Sequence, residues 1–413
     1  MTVKLVVWGA GARGTIYADW AAGHPDRAQV VAVADPNPAR RDALASRHGI
    51  ARDQVHTTWQ ESLAAGRLGD AVLICTQDTD HVEPAIAALE AGYDVLLEKP
   101  IAPQAEAVRR VAAAAQETGR ILAVSHVLRN TPYTTELVRL LREGVIGDIA
   151  SIQHLEPVGW WHQAHSYVRG SWRREDESSS MLLAKACHDL DWLEFVVGQR
   201  IARVASFGSL RHFTAGNAPE GATDRCVSCP HQDTCAYSAT RIYLSEAAAP
   251  PDQWPSRVLT DEHTREALER AVAEGPYGRC VYACDNDVVD HQVVALEFAD
   301  GATGTFTMTA FTPYSNRLTR VFGTQGMIES DGATLRICDF RAGGAWREVV
   351  TASADASSGH AGGDDALMDA FVAAVAAQDQ GLVSSDAASS LASHLAVFAA
   401  EESRLTGRVV DVR

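Results

Sequence analysis

The chain of 413 residues has no apolar run near the roughly 20 residues that a bilayer-spanning helix needs. It is also poor in basic charge. Lys and Arg number 36 against 53 Asp and Glu, a formal net charge of −17. Nucleic acid and anionic membrane surfaces both demand basic surface, so neither is expected as a partner. There is no internal repeat. The N-terminus opens directly on β-type residues, which leaves no room for a secretory signal, and a cytoplasmic location is the default expectation. In such a chain the eight cysteines are not expected to form disulfides.

The remaining composition, 46% hydrophobic and 22% charged, is that of a globular protein too long for one ordinary core. Two domains are expected. Over the first 125 or so residues β-type runs (near 3–8, 29–34, 71–76, 94–98 and 121–125) alternate with Ala-rich amphipathic stretches (36–48, 82–91, 103–118). That alternation predicts an α/β domain over 1–127, with a doubly wound parallel sheet. The rest, 128–413, reads as an α+β domain. Helices are predicted at 133–143, 180–197, 364–377 and 384–406, and strands at 149–156, 288–298, 302–311, 317–323 and 408–412. Asp300-Gly301 marks a hairpin turn and points to a mainly antiparallel sheet. Residues 352–363 look like a loop. A Pro-, Cys- and charge-rich segment, about 212–284, reads as an insertion.

The most informative stretch is KLVVWGAGARG, residues 4–14. A β-type run meets a Gly9-x-Gly11-x-x-Gly14 turn and then a helix. Gly9 permits the tight turn, Gly11 lets backbone approach a pyrophosphate, and Gly14 lets helix and strand pack closely. Gly9, Gly11, Ala12, Arg13 and Gly14 are therefore candidate dinucleotide contacts, with the anion on the helix N-terminus. A second apolar run ends in Asp35, which is set to accept from the ribose hydroxyls and to repel a 2′-phosphate. NAD is favoured; Arg40 and Arg41 leave NADP open. In a doubly wound sheet ligands sit at the carboxyl ends of the strands, so Thr76, Asp78 and His81 are further candidates on the nicotinamide side.

Three features carry a family resemblance: the glycine turn, AGYDVLLEKP at 91–100 and HDLDW at 188–192. Together they make the chain similar to the glucose–fructose oxidoreductase, inositol dehydrogenase and MocA (Gfo/Idh/MocA) family over essentially its whole length. The resemblance implies a Rossmann domain, a C-terminal α/β domain with an open sheet, and an active site between them. It implies a catalytic Lys99, a cis Lys99–Pro100 bond, a cofactor-side Glu98 and a catalytic His188. Homo-oligomers built on the broad sheet follow by analogy. On a helix Lys185, His188 and Asp189 share a face. Family members close to inositol dehydrogenase carry an aspartate four positions before the histidine, where this chain has Ala184. Lys185 is then the nearest polar substitute, either binding substrate or tuning His188.

Between 160 and 174 aromatic, His and Arg residues crowd together. Flat apolar faces stack on sugar C–H surfaces and polar tips bind hydroxyls, so Tyr167, Arg169 and Trp172 are candidate substrate contacts. His360, in a GHAGGD loop like those of glycosidase relatives, is another. The expected substrate is a sugar, polyol or glycoside, oxidised with NAD. A redox-neutral, NAD-dependent glycoside hydrolase acting through transient C3 oxidation is the alternative, with an anionic glycoside suited to the arginines. Finally, Cys226-x2-Cys229-x5-Cys235, with Cys280 or Cys284, has the spacing of a structural zinc site that would staple the insertion.

Overall fold

The computed structural model describes residues 2–314, 316–351 and 362–413. Six strands make the first sheet: β1 (Val3–Trp8), β2 (Ala28–Ala34), β3 (Val55–His56), β4 (Ala71–Ile74), β5 (Asp94–Leu97) and β6 (Leu122–Val124). Their order is β3-β2-β1-β4-β5-β6, every pair parallel, so the chain order reverses beside β1. Both faces are covered by helices α1 (Ala12–Gly23), α2 (Pro38–His48), α3 (Trp59–Ala64), α4 (Val82–Glu90) and α5 (Ala105–Thr118). That is why β4 and β5 are buried at every position rather than alternating.

After α6 (Pro132–Arg142) comes the second sheet. Its strands are β7 (Ile149–Pro157), β8 (Ile201–Ser209), β9 (His291–Phe298), β10 (Thr303–Thr309), β11 (Leu318–Gly323), β12 (Gly326–Ser330), β13 (Thr334–Asp339), β14 (Ala345–Val350) and β15 (Val410–Asp411). The order is β14-β13-β12-β11-β7-β10-β9-β8-β15, antiparallel except for β7 beside β10. Between β7 and β8 run a single turn α7 (Trp160–His162), a π-helical turn Gln163–Arg169, and the long helix α8 (Met181–Val197). Two short helices, α9 (Ala239–Leu244) and α10 (Arg265–Glu274), lie in the insertion. The chain closes with α11 (Gly363–Ala377) and α12 (Ala387–Thr406).

The last two helices bind the halves together. Leu367, Met368, Phe371 and Val372 of α11 bury themselves with β1 and α1 in the core of the first sheet. Ala396 and Val397 of α12 join α8 in the core of the second. The HDLDW aspartates clamp α8 in the same way. Asp191 receives Arg129 in a two-pronged pair, at 2.6 Å on each oxygen. Asp189 receives Arg317 and, at 3.1 Å, His154 of β7. Burial alone would raise the Asp189 carboxyl, but Arg317 and His154 hold it well below the usual carboxylate range. No helix among the described residues is long and apolar enough to cross a membrane.

Candidate active site

The glycine turn is built as its sequence demands. Gly9 has φ +100°, and a Cβ there would lie 2.4 Å from the Cys75 carbonyl oxygen. A Cβ on Gly14 would lie 2.0 Å from the Gly9 oxygen, so close packing of α1 on the turn requires glycine. Gly11 is different: a Cβ there meets nothing within 4 Å. Gly11 begins α1 with no side-chain cap and no acid in the first turn. The N–H groups of that turn thus have no side-chain cap, and such uncapped donors are what a phosphate needs. Asp35 Oδ2 accepts from Ala10 N–H at 2.6 Å and Oδ1 from Asn37 N–H at 2.7 Å, tying the turn to the end of β2.

The Arg13 side chain is committed elsewhere. It donates to Glu98 Oε1 at 2.6 Å, to Asp364 at 2.5 Å and to the Tyr17 hydroxyl. Its Nε and Nη2 are thus held by the protein itself. Glu98 also accepts from Tyr17 at 2.7 Å and from Lys99 N–H at 3.1 Å. Burial would raise the Glu98 carboxyl; Arg13, Lys99 and Tyr17 together bring it below its ordinary value. A charged, fully engaged carboxylate thus fixes the end of β5.

Lys99 follows directly, and the Lys99–Pro100 peptide is cis. Its ammonium reaches across to α8 and donates to the Ala184 carbonyl at 2.8 Å. His188 lies one helical turn further along α8, buried, with its ring 5.9 Å from that of His126 and edge-on to it. His126 follows β6; burial first, against Asp191, pushes it down to about 3, so it is neutral. His394 of α12 accepts from Ile101 N–H at 3.0 Å and so braces the cis-proline turn from the far end of the chain.

The other cleft wall comes from the second domain. Trp172 donates its indole N–H to Asp78 Oδ2 at 2.9 Å, and Ser178 approaches the same oxygen at 3.4 Å. Lys185 pairs with Glu156 of β7 at 3.0 Å, and Arg317 joins Glu156 to Asp189 at 2.8 Å to each. The Lys–His–Asp face expected on α8 is thus revised: Asp189 turns to the sheet, and the carboxylate partner of Lys185 is Glu156, invisible in local sequence. Tyr167 is buried, with its ring 5.8 Å from His162 and 6.2 Å from Trp172. Around His162 gather Trp254 at 5.1 Å and Tyr314 at 5.4 Å. Burial, then Lys185 and His165, drive His162 well below its ordinary value. Trp254 belongs to the insertion, and nothing local in the sequence marked it.

Several of the expected residues have partners within the chain. Arg169 is not in the cleft. It is buried and donates to the main-chain oxygens of Arg279 and Tyr237, each at 2.7 Å, pinning the insertion. His81 has ring nitrogens facing the Pro100 and Thr76 carbonyls at 2.7 and 3.2 Å, a buckle between two loops. The Thr76 hydroxyl donates to the Asp80 carbonyl at 2.9 Å. The zinc site is not supported. Cys226, Cys229, Cys235 and Cys280 line one small cavity with Arg169, yet among the described residues no group of three or more His, Cys, Asp or Glu side chains is arranged to hold a metal. All are free thiols, and burial pushes those of Cys235, Cys280 and Cys284 up. Cys284 donates to the Cys280 carbonyl. His360 lies outside the described residues.

Two family models match: an oxidoreductase-family NAD-binding Rossmann fold over residues 3–126 and an oxidoreductase-family C-terminal alpha/beta domain over 138–412. The chain belongs to the Gfo/Idh/MocA oxidoreductase family. It is 32% identical to inositol 2-dehydrogenase 4 of Saccharopolyspora erythraea, over 52% of this chain and 59% of that protein. It is 29% identical to 2,7-anhydro-N-acetylneuraminate hydratase of Escherichia coli, over 46% of this chain and 49% of that one. The match thus spans about half to three-fifths of these curated relatives. Levoglucosan dehydrogenase, solved with NADH and levoglucosan, shares the fold across 100% of both chains, with a TM-score of 0.72 and 20% identity.

Proposed function

We propose that this chain is an NAD-dependent oxidoreductase of a sugar, polyol or glycoside, with Lys99 and His188 as its proton-handling pair. The single observation behind it is the Lys99 ammonium docked on Ala184, a turn from His188, where β5 ends beside the glycine turn. The uncapped start of α1, the open space at Gly11 and the acid at Asp35 fit a dinucleotide. Bound NAD would supply the hydride acceptor. The protein's task is then the hydroxyl. An ammonium donates hydrogen bonds and fixes the oxygen, while an imidazole takes its proton as the carbinol C–H is lost. Lys185, Tyr167, Trp172, His162 and Trp254 suit a sugar ring, with charged donors below and flat faces beside it. The named substrates of the relatives, an inositol and two anhydro sugars, favour a cyclic polyhydroxylated compound. Purified protein incubated with NAD and a panel of cyclic polyols and glycosides tests this. Substrate-dependent NADH formation is expected, and no response from any member sinks it.

A second reading is favoured by the hydratase relative and by Ala184 in place of the aspartate. In it, oxidation at C3 is transient, elimination and water addition follow, and re-reduction restores the cofactor. Aryl glycosides separate the two: aglycone release without net NADH marks the redox-neutral cycle.

The open sheet face carries exposed Phe207, Val293 and Leu318 along one row that crosses the sheet through Thr307 and Leu155. It suits a homo-oligomer. Light scattering on the eluting protein would read a dimer or tetramer, and a monomer would refute this.

A further inference from the structure

The insertion does not stay on its own domain. Beyond the turn Ser256–Val258 it crosses to the first sheet. There Asp261 accepts from the Asn37 side-chain amide at 3.1 Å and from Arg40 through Nε at 3.3 Å and Nη2 at 3.2 Å. These are not arbitrary residues. Asn37 caps α2, its oxygen accepting from Arg40 N–H, and it follows Asp35 by two positions. The insertion thus brings a carboxylate to the start of α2, next to the acid that closes β2. Partial burial pushes the Asp261 carboxyl up, and the Asn37 amide with the Arg40 guanidinium bring it below its ordinary value. The neighbouring Arg41 pairs with Asp42 at 3.0 Å and reaches the Asp35 carbonyl and Thr57 only at 3.5 Å.

NAD and NADP differ by one phosphate on the adenosine ribose. A protein takes that phosphate with an arginine fork, with polar donors and with the positive end of a helix, all close to the end of β2. Here the Arg40 fork and the Asn37 amide already hold an anion at the start of α2, and the anion is part of the chain. We propose that Asp261 is a cofactor-specificity residue. Its carboxylate occupies Arg40 and Asn37 in place of a 2′-phosphate, adds a second negative charge beside Asp35, and so commits the protein to NAD. This rests on the dinucleotide reading above. It differs from the rule that the β2 acid alone decides, because the deciding group comes from the other domain, 226 residues after Asp35.

Calorimetric titration of the full-length protein with NAD and with NADP tests it, on the wild type, Asp261→Ala, Asp261→Asn and Asp261→Ala combined with Arg40→Ala. Asp261 is an exposed side chain, so the variants should fold, and an unchanged thermal midpoint confirms it. Expected is a gain of about tenfold or more in NADP affinity for Asp261→Ala, with NAD changed less than about threefold. Asp261→Asn should gain less, and Arg40→Ala should erase the gain. A NADP-to-NAD ratio within about twofold of wild type, or a gain that survives loss of Arg40, overturns the proposal. If the wild type binds NAD and the ratio does not move, this inference alone fails. If the wild type binds neither nucleotide, the dinucleotide reading fails and takes this one with it.

Discussion

The ammonium of Lys99 rests on the main-chain oxygen of Ala184 at 2.8 Å, although the two residues belong to different domains. A carbonyl at that point of α8 is also the helical acceptor for the residue four further on, which is His188. One oxygen therefore fixes the amine of one domain against the helix turn that carries the imidazole of the other.

The first prediction concerns this pair. Lys99→Ala and His188→Asn should each lower kcat by about 10²- to 10⁴-fold, the usual worth of a positioned acid or base. NAD affinity should stay within about threefold in both, since neither residue belongs to the phosphate cradle. Single-turnover NADH formation with separate NAD titrations checks both halves.

The glycine turn gives a contrast between two superficially similar changes. Gly14→Ala drives a Cβ to within 2.0 Å of the Gly9 oxygen and should cost about 3 kcal/mol or more. Gly11→Ala has room in the protein itself and should cost less than about 1 kcal/mol. It should nonetheless weaken NAD at least about tenfold, because the methyl enters the space where a pyrophosphate would sit. Denaturant unfolding and calorimetry separate the effects.

Lys185 and Arg169 should behave oppositely. Lys185→Met should raise KM for the sugar about tenfold or more, the amine being lost from the cleft while Arg317 keeps Glu156 paired. Arg169→Ala should leave KM within about threefold and lower the thermal midpoint, since Arg169 ties the insertion to the π-helical turn. Steady-state kinetics and thermal melts on both variants check it.

Buried neutral histidines set the acid limb of stability. Burial, joined for His165 by Arg169, pushes His126 and His165 down to about 3 and His394 to about 4, against 6.5 for an exposed histidine. Between those values the unfolded chain binds protons that the folded chain refuses. Their contribution is therefore complete above pH 6.5 and is lost as pH falls from 6.5 toward about 4 for His394 and about 3 for His126 and His165. Each adds a slope of up to about 1.4 kcal/mol per pH unit. Unfolding free energies measured across that range should fall less steeply for His165→Phe than for wild type, and equal slopes would refute the assignment.

Much of this was legible in the sequence because the residues concerned act locally. The glycine turn, the ends of β1, β4 and β5, and helices α8 and α12 follow from patterns a few residues long. Two-residue β3 is too short to leave one, and β14 is exposed at nearly every position, so neither alternates. Local crowding misled at Arg169. On a π-helical turn Tyr167 and Arg169 point apart, one to the cleft and one to the insertion. The partners that complete the site (Glu156 for Lys185, Trp254 for His162, Asp364 for Arg13) are joined only by tertiary folding, and no spacing rule reaches them.

In the proposed reaction a carbinol hydrogen passes to NAD while Lys99 and His188 serve its hydroxyl. The most direct measurement uses cyclic polyols and glycosides deuterated at their carbinol carbons, in a single turnover with NAD, with deuterium in the nicotinamide read by mass spectrometry. Label is expected in the nicotinamide with wild type, and almost none over the same interval with Lys99→Ala or His188→Asn although both still bind NAD. Bound NAD that takes no label from any member of the panel, or transfer undiminished in both variants, would contradict it.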